Sequence, residues 1–463
     1  MKKPHHILIA GAGLVGSLLA LMLGQRGYRV TVLEKREDMR RKSLSAGRSI
    51  NLALAERGIN ALRRAGLMEE VEKLLIPMKG RVLHGVDSEL LFSPYGQRPH
   101  EVIYSVSRGE LNQLMMTAAE THFDVDILFN QSVETVDFDR KRVSIKDHLA
   151  GKTTPLEFEL VIGADGVGSE VRKAIMKATG GNFQIEMLGH DYKELCIPPG
   201  SEAATRWQME KEALHIWPRG GYMLIALPNL DGSFTVTLFL PSKGDPSFEL
   251  IDEPHELDDF FDRQFPDAKA LIPNFQEEYF GNPIGPLGTV RCDRWVYNDS
   301  AFILGDASHG IVPFHGQGMN AGFEDCSELI RLLDEHADDW STVLPIFEKI
   351  RTPNANAIAD MALENYVTMR DSVTDEKFKL KKEIGFELER MFPDRFIPRY
   401  SMVMFHRYPY ADAFSRGQIQ DDILNDLANG IESASEFDRQ RGKELVESRL
   451  QALAQPALSL IHI

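Results

Sequence analysis

Three observations in the 463-residue chain predict an α/β fold with an added antiparallel part. A strand, the turn Gly11-Ala12-Gly13-Leu14-Val15-Gly16, an apolar helix and a second strand ending at Glu34 open the chain. From about residue 190 to 286, apolar and polar residues alternate with the period of antiparallel strands. After about residue 325, apolar residues recur at helical spacing. Together these give a Rossmann-type nucleotide-binding domain, an antiparallel-sheet domain and a C-terminal helical segment.

Composition narrows the function classes. The chain is 43% apolar and 26% charged, as soluble globular proteins are, and is long enough for several cores. A formal net charge of −17 argues against a nucleic-acid partner and disfavours an anionic membrane surface. Cys196, Cys292 and Cys326 stand far apart, without a Cys-x-x-Cys pair, so neither a zinc site of that kind nor a local redox dithiol is indicated. No other metal-ligand spacing appears. So few cysteines fit a reducing cytoplasm. Lys2 and Lys3 precede an apolar run, Ile7–Gly24, with the look of a signal peptide or membrane span. Glycines at 11, 13, 16 and 24 and the following strand Tyr28–Leu33 favour a folded strand–helix–strand start instead. Ala457–Ile463 is apolar but too short to span.

Taken in order, His6–Ala10 is the first strand. Gly11 permits the tight turn, Gly13 lets a pyrophosphate approach the backbone, and Gly16 packs the helix on the strand. The helix N-terminus faces the phosphates. Glu34 can accept the hydrogen bonds of a ribose diol and argues against a 2′-phosphate, so the site suits FAD or NAD better than NADP. Arg48–Gly58 reads as a loop entering a helix that ends near Gly66. Met78–Tyr104 reads as short strands and turns carrying Arg81, His84, Tyr95 and Arg98. Ser105–Met116 is a loop into a helix, with Arg108 early in it. Val125–Phe129, Ser132–Phe138 and Leu160–Gly163 are strands; the last leads into Ala164-Asp165-Gly166 and a helix bearing Ser169, Val171 and Arg172.

In the alternating region, Leu214–Trp217, Tyr222–Leu227 and Phe234–Leu240 are strands, with turns at Arg219-Gly220-Gly221 and Asn229–Gly232. One apolar face of such a sheet either walls a pocket or simply forms a core. Pro254–Phe265 is a helix. Further on, Asp325–Ala337, Trp340–Met369 and Asp375–Met391 are helices, Phe396–Phe405 is loop or short extended chain, and a polar helix runs from about Glu436 to Ala454.

Between them lies the stretch Ala301–Asp325. The strand Phe302–Leu304 delivers Asp306 at its C-terminal end, and Gly316-Gln317-Gly318 opens a helix from about Met319. A helix N-terminus offers unpaired N–H donors and partial positive charge, which suit an anionic or electron-rich group such as an isoalloxazine ring. Taken alone, the stretch is equally an ordinary strand–loop–helix.

The Gly-Asp turn at 305–306, the Asp-Gly turn at 165–166 and the N-terminal glycine motif occur in the order found in the FAD-dependent aromatic hydroxylases, which the chain resembles over roughly residues 5 to 430. Within that family it is most similar to the members acting on L-kynurenine. The specific stretches are Gly47–Gly58, Pro313–Asn320, Met361–Met369 and Ile397–Val403. The chain lacks the hydrophobic C-terminal segment of the membrane-bound members, so the resemblance is to the soluble, cytoplasmic ones, monomeric or homodimeric.

The resemblance implies one non-covalent FAD, with NADPH as a transient co-substrate and O2 consumed through a C4a-hydroperoxyflavin, hydroxylating L-kynurenine beside its ring amine. It implies FAD contacts at Gly11, Gly13, Val15, Gly16, Glu34, Lys35 and Arg36. Arg48, Ala53, Arg108 and Val133 add to these, as do Asp165, Asp306, Gly318, Met319 and Asn320. For the substrate it implies Arg81, Tyr95, Asn365 and Tyr400 at the amino-acid end. Leu214, Met223, Ile225, Leu227, Phe239, Phe314, His315 and Met369 line the aromatic end. No residue is required as a general base, because the substrate amine activates the ring; His315 stands where one would be proposed, or serves to shape the loop. The implied division is FAD-binding parts at 1–77, 105–189 and 287–370, substrate-domain parts at 78–104 and 190–286, and a helical segment at 371–463.

Two rivals remain: a sister hydroxylase of another aromatic acid, and a flavin-binding protein without hydroxylase turnover. A flavin halogenase is disfavoured, since Trp217 stands outside any Trp-x-Trp-x-Ile-Pro motif.

Overall fold

Ile7, Leu8 and Ile9 have no exposed surface, because the strand they form is central to a parallel sheet. A computed structural model of the chain describes residues 4–41, 51–87, 89–202, 206–372 and 375–453. The sheet runs in the order Val296–Tyr297, Ala301–Ile303, Leu160–Gly163, His6–Ala10, Arg29–Glu34, Val125–Phe129, parallel except for its first pair. Its strand ends therefore gather Gly11, Glu34, Asp165 and Asp306 on one side. Helix Leu14–Gln25 packs between helices Arg108–His122 and Gly318–Glu335. Its close approach depends on Gly16, where a Cβ would fall 2.0 Å from the Gly11 carbonyl oxygen.

The second large sheet has seven strands, ordered Gly285–Cys292, Phe183–Ile197, Phe234–Pro241, Met223–Pro228, Ala213–Pro218, Gly80–His84, Leu90–Pro94. Its two faces follow the period-two pattern. Leu195, Trp217, Leu224, Ala226, Val236, Leu238 and Leu240 form one core with the helices Pro254–Gln264 and Phe275–Gly281. Met223 and Phe239 face the other way, toward Phe314, Tyr366 and Met369. Strand Gly80–His84 runs parallel to Ala213–Pro218 and sets Arg81 beside Leu214. The strands Phe183–Ile197 and Gly285–Cys292 each run through a boundary drawn from the sequence, at 189/190 and 286/287.

The structure corrects three local expectations. Asn51–Leu54 is a strand, not a loop, paired with Ile103–Ser107. Phe396–Phe405 contains the helix Arg399–Met404 rather than only loop or short extended chain. Pro398 precedes it, its carbonyl accepting from Met402 N at 3.0 Å, and Met402, Val403 and Met404 are buried, so packing overrides the extended preference of this mixed apolar run. Helix Tyr410–Leu427 was not anticipated: Gly417 interrupts its pattern and leaves room for the Arg399 side chain, whose Cδ would lie 2.2 Å from a Cβ there. This helix, Glu376–Met391 and Arg439–Arg449 share a separate small core. No helix among the described residues is long and apolar enough to cross a membrane.

Candidate functional site

The nucleotide end lies where the parallel strands stop. Helix Leu14–Gln25 follows Gly13 without any side-chain cap, which leaves its first N–H groups open to an anion. Nothing lies within 4 Å of where a Cβ on Gly13 would stand. Glu34 is buried; its Oε2 accepts from Ala12 N at 2.9 Å, and its Oε1 from Arg36 N at 3.0 Å and Arg36 Nε at 2.8 Å. Burial pushes this carboxyl up, but those donors outweigh it and hold it below the usual range. A charged Glu34 can accept further hydrogen bonds. Lys35 and Arg36 are exposed beside it, and Arg108 is exposed at the first position of its helix. Val133 is buried in strand Gln131–Asp137. Arg48 lies outside the described residues.

The two acidic turns meet across the sheet end. Gly305, at φ +57°, turns the chain out of its strand and presents exposed Asp306 at the head of the short helix Asp306–His309. Val15 packs against this turn; a Cβ on Gly305 would come within 3.1 Å of it. Asp165 Oδ2 accepts from Glu170 N at 2.8 Å and so caps helix Glu170–Thr179, while its buried Oδ1 has no partner among the described residues. Burial raises its carboxyl. Arg172, fully buried, donates to Ala307 O at 2.8 Å and to Val167 O, tying the two turns together. Its placement beside Val171, Ile175 and Met176 on the buried face of its helix was the available signal, and the sequence reading gave it no role.

The loop after Asp306 is fixed by Asn320. Its Oδ1 accepts from Ala55 N at 2.9 Å, and its Nδ2 donates to Ala53 O at 2.8 Å and Gly316 O at 2.7 Å. This side chain is therefore spent on locking the loop to strand Asn51–Leu54. Gly316 turns at φ +64°, and Gly318 begins the helix Gly318–Glu335 in which Met319 packs into the core of the parallel sheet.

The substrate end is built on Arg81. Its guanidinium carbon lies 5.3 Å from the Tyr95 ring centroid and 5.1 Å from that of Tyr400. The two rings are nearly parallel, 5.7 Å apart, and His315 stacks on Tyr400 at 5.5 Å. Arg81 Nε, the Tyr95 hydroxyl and His315 Nδ1 are buried without a hydrogen-bond partner among the described residues. Such orphans are costly unless a ligand completes them. Burial lowers the His315 imidazole to about 4, partly offset by its backbone and reinforced by Arg399, Arg81 and Arg57. Burial raises the Tyr400 phenol.

Beside these lies an apolar wall. Phe314 stacks on Tyr366 at 3.9 Å and meets Phe239 edge-on at 4.9 Å. Met223 and Met369 complete this cluster, with Leu214 and Ile225 packed against it, while Leu227 packs in the adjoining cluster with Tyr95 and Met402. Asn365 donates to Phe314 O at 2.7 Å, so it anchors the wall. Lys382, to which the sequence assigned no role, donates to Ser93 Oγ and Pro94 O at 2.8 Å each. Burial, with a smaller push from Arg81, lowers its amine to about 8.

The geometry offers an anion cradle at one end and a cation set against an apolar wall at the other, joined by the loop 305–320. A family described as FAD binding domain matches residues 5–362. An open Gly13, an uncapped helix N-terminus, charged Glu34 and the orphan Asp165 Oδ1 fit that cofactor. Fold and site thus define a flavin-dependent monooxygenase. The P. aeruginosa PqsL structure in complex with 2-aminobenzoylacetate shares the fold, at a TM-score of 0.63 and 23% identity over 79% of this chain and 97% of that one. Kynurenine 3-monooxygenase of Myxococcus xanthus is 48% identical over 96% of this chain and 95% of its own, and that of Stenotrophomonas maltophilia 46% over 93% and 94%. The chain belongs to the kynurenine 3-monooxygenase family.

Proposed function

We propose that this chain hydroxylates L-kynurenine to 3-hydroxykynurenine, consuming NADPH and O2. The observation that carries the reading is the half-buried Arg81 beside the Tyr95–Tyr400 pair, its Nε buried without a hydrogen-bond partner among the described residues, next to an apolar wall. A planar guanidinium fork suits an amino-acid carboxylate, and the two phenol hydroxyls add donors. Leu214, Met223, Ile225, Leu227, Phe239, Phe314 and Met369 hold the aryl ring. Asn365 acts by fixing the Phe314 carbonyl, and His315 by its stack on Tyr400.

FAD, when bound, would carry electrons from NADPH to O2, so that one oxygen atom of O2 enters the ring and the other leaves as water. The chain's own work is to bind, orient and keep dry. Gly11, Gly13, Gly16 and the uncapped helix receive the pyrophosphate, and Glu34 a ribose diol, with Lys35, Arg36, Arg108 and Val133 around them. Asp165, Asp306 and the backbone of Ala53, Gly318, Met319 and Asn320 border the rest of the cofactor. The C-terminal segment, through Tyr400, closes the substrate end against water, which protects a reactive oxygen species from wasteful decay. The ring amine of the substrate activates the carbon beside it, so no side chain is assigned as base. Three free cysteines support a cytoplasmic location, and a monomer or homodimer without nucleic acid or membrane suits the acidic chain.

The test is NADPH oxidation with and without L-kynurenine, read together with the hydroxylated product. Kynurenine-stimulated oxidation with 3-hydroxykynurenine formed supports the reading. Greater product from another aromatic acid would move the chain to a sister activity, and binding of FAD without any product would leave a flavin-binding protein.

A further inference from the structure

Gln317 is the central residue of Gly316-Gln317-Gly318, yet its side chain turns away from the proposed cofactor side. It has no exposed surface. Both ends of its amide are taken by the C-terminal segment: Oε1 accepts from the Tyr410 hydroxyl at 2.7 Å, and Nε2 donates to Met404 Sδ at 3.1 Å. Tyr410 opens helix Tyr410–Leu427, and Met404 closes helix Arg399–Met404. Backbone Gln317 stands immediately before the helix whose N–H groups end the loop. The C-terminal segment thus grips the loop at the residue where it becomes a helix.

A second attachment reaches the other end of the same loop. Arg57 lies 3.8 Å over the Tyr410 ring, donates to Tyr408 O and pairs with Glu324. Glu324 pairs with Arg351 at 2.6 Å, and Arg351 Nε with Asp325 at 2.7 Å. Asp325 Oδ2 in turn accepts from Gly305 N at 2.9 Å and meets His309 Nε2 at 2.6 Å. Arg57, Arg351 and Asp325 are buried, and the two arginines balance the two carboxylates. This network is buried and charge-balanced, paired among the described residues except at Arg57 Nε and His309 Nδ1, and its ion pairs hold the elements they join in one arrangement. It therefore fixes Gly305 and Gln317 relative to each other and to Tyr408 and Tyr410.

We infer that the C-terminal segment sets the shape of the cofactor loop, with Gln317 and Tyr410 as positioning residues for FAD. The inference rests on the reading of 305–320 as the cofactor's border, but not on the identity of the substrate. Its consequence is specific: FAD affinity depends on a hydroxyl at position 410, on a segment assigned no cofactor contact. A purely structural role would lower the melting temperature of the apoprotein without altering the bound flavin.

The experiment uses the full chain as Tyr410→Phe, Gln317→Leu and the double variant. Apoprotein is titrated with FAD by flavin fluorescence, the visible absorption of bound flavin is recorded, and the apoprotein melt is measured alongside. Tyr410→Phe should weaken FAD by about two- to tenfold, the range for one neutral hydrogen bond, and alter the visible flavin band. The double variant should be no weaker than Gln317→Leu, because the two changes remove one shared bond. Wild-type FAD affinity in Tyr410→Phe overturns the inference, as do losses that multiply in the double variant. If Gln317→Leu fails to fold, Tyr410→Phe with Met404→Leu, which deletes only the sulfur acceptor, decides by the same titration. No kynurenine or NADPH enters any of these measurements. A chain that hydroxylated another aromatic acid would give the same result, whereas unchanged FAD affinity would remove this inference and leave the substrate reading in place.

Discussion

Tyr95 and Tyr400, one on the loop after strand Leu90–Pro94 and the other in helix Arg399–Met404, hold their rings within 13° of parallel at 5.7 Å. Arg81 lies within 5.3 Å of both ring centroids. Two aromatic faces strip water from a guanidinium while leaving its edge to make hydrogen bonds. Substrate binding is therefore expected to need parts of the chain that meet only in the folded state.

Arg81→Ala should weaken kynurenine binding by about tenfold to over a hundredfold, from the roughly 1.5–3 kcal/mol of a charged hydrogen bond. FAD content should remain normal, since no hydrogen bond or ion pair joins Arg81 to the nucleotide end among the described residues. A kynurenine titration matching wild type would take Arg81 out of the site.

Tyr400→Phe keeps the ring stack and deletes one hydroxyl. The expected result is a raised KM for kynurenine, by about two- to tenfold, with an unchanged flavin spectrum. Asn365→Ala should behave differently, because it frees the Phe314 carbonyl and so loosens the apolar wall. Its predicted signature is uncoupling: more hydrogen peroxide per NADPH consumed. Wild-type KM and coupling in both variants would take Tyr400 and Asn365 out of the substrate site.

Much of this arrangement was legible in the sequence because it is local. The glycine spacing at 11, 13 and 16 states its own geometry, and alternation across Met223, Ile225 and Leu227 separates their face from that of Leu224 and Ala226. What escaped depends on partners distant in the chain. Asn320 and Asn365 have the residue type of ligand contacts, yet their amide nitrogens donate to backbone carbonyls of the loop and of strand Asn51–Leu54. Arg172 and Gln317 gain their roles only from the carbonyls and hydroxyl that fold against them. Tyr400 falls in a stretch that reads as loop or short extended chain, whereas Pro398 and the burial of Met402, Val403 and Met404 make a helix there.

His315 makes stability depend on pH. Its imidazole falls from 6.5 to about 4 through burial, with smaller contributions from the nearby arginines. Between these values the unfolded chain binds a proton that the folded chain refuses, so stability is full above pH 6.5 and is lost as pH falls toward 4. The loss is on the order of 3 kcal/mol for such a shift. His315→Asn should flatten this acid limb in melts at pH 7 and pH 4.5. It should not abolish it, because burial also lowers His215 to about 4. Identical acid limbs in the two proteins would show that His315 is not held neutral.

Lys382 gives a pH dependence of the opposite kind, in binding. Its amine sits at about 8, lowered chiefly by burial and further by Arg81, and it donates to Ser93 Oγ and Pro94 O beside the strand that carries Arg81. Below that pH it adds a second cation near the proposed carboxylate subsite; above it the cation is lost. Wild-type KM for kynurenine should therefore rise between pH 7 and 9 more steeply than that of Lys382→Met, whose KM is already raised at pH 7. A half-buried charge at this remove is worth about two- to fivefold in KM. Titration of the substrate's own amines affects both proteins alike, so the difference between the two profiles isolates the lysine. Parallel profiles would confine Lys382 to tying helix Glu376–Met391 onto strand Leu90–Pro94, and leave Arg81 as the cation that meets the carboxylate.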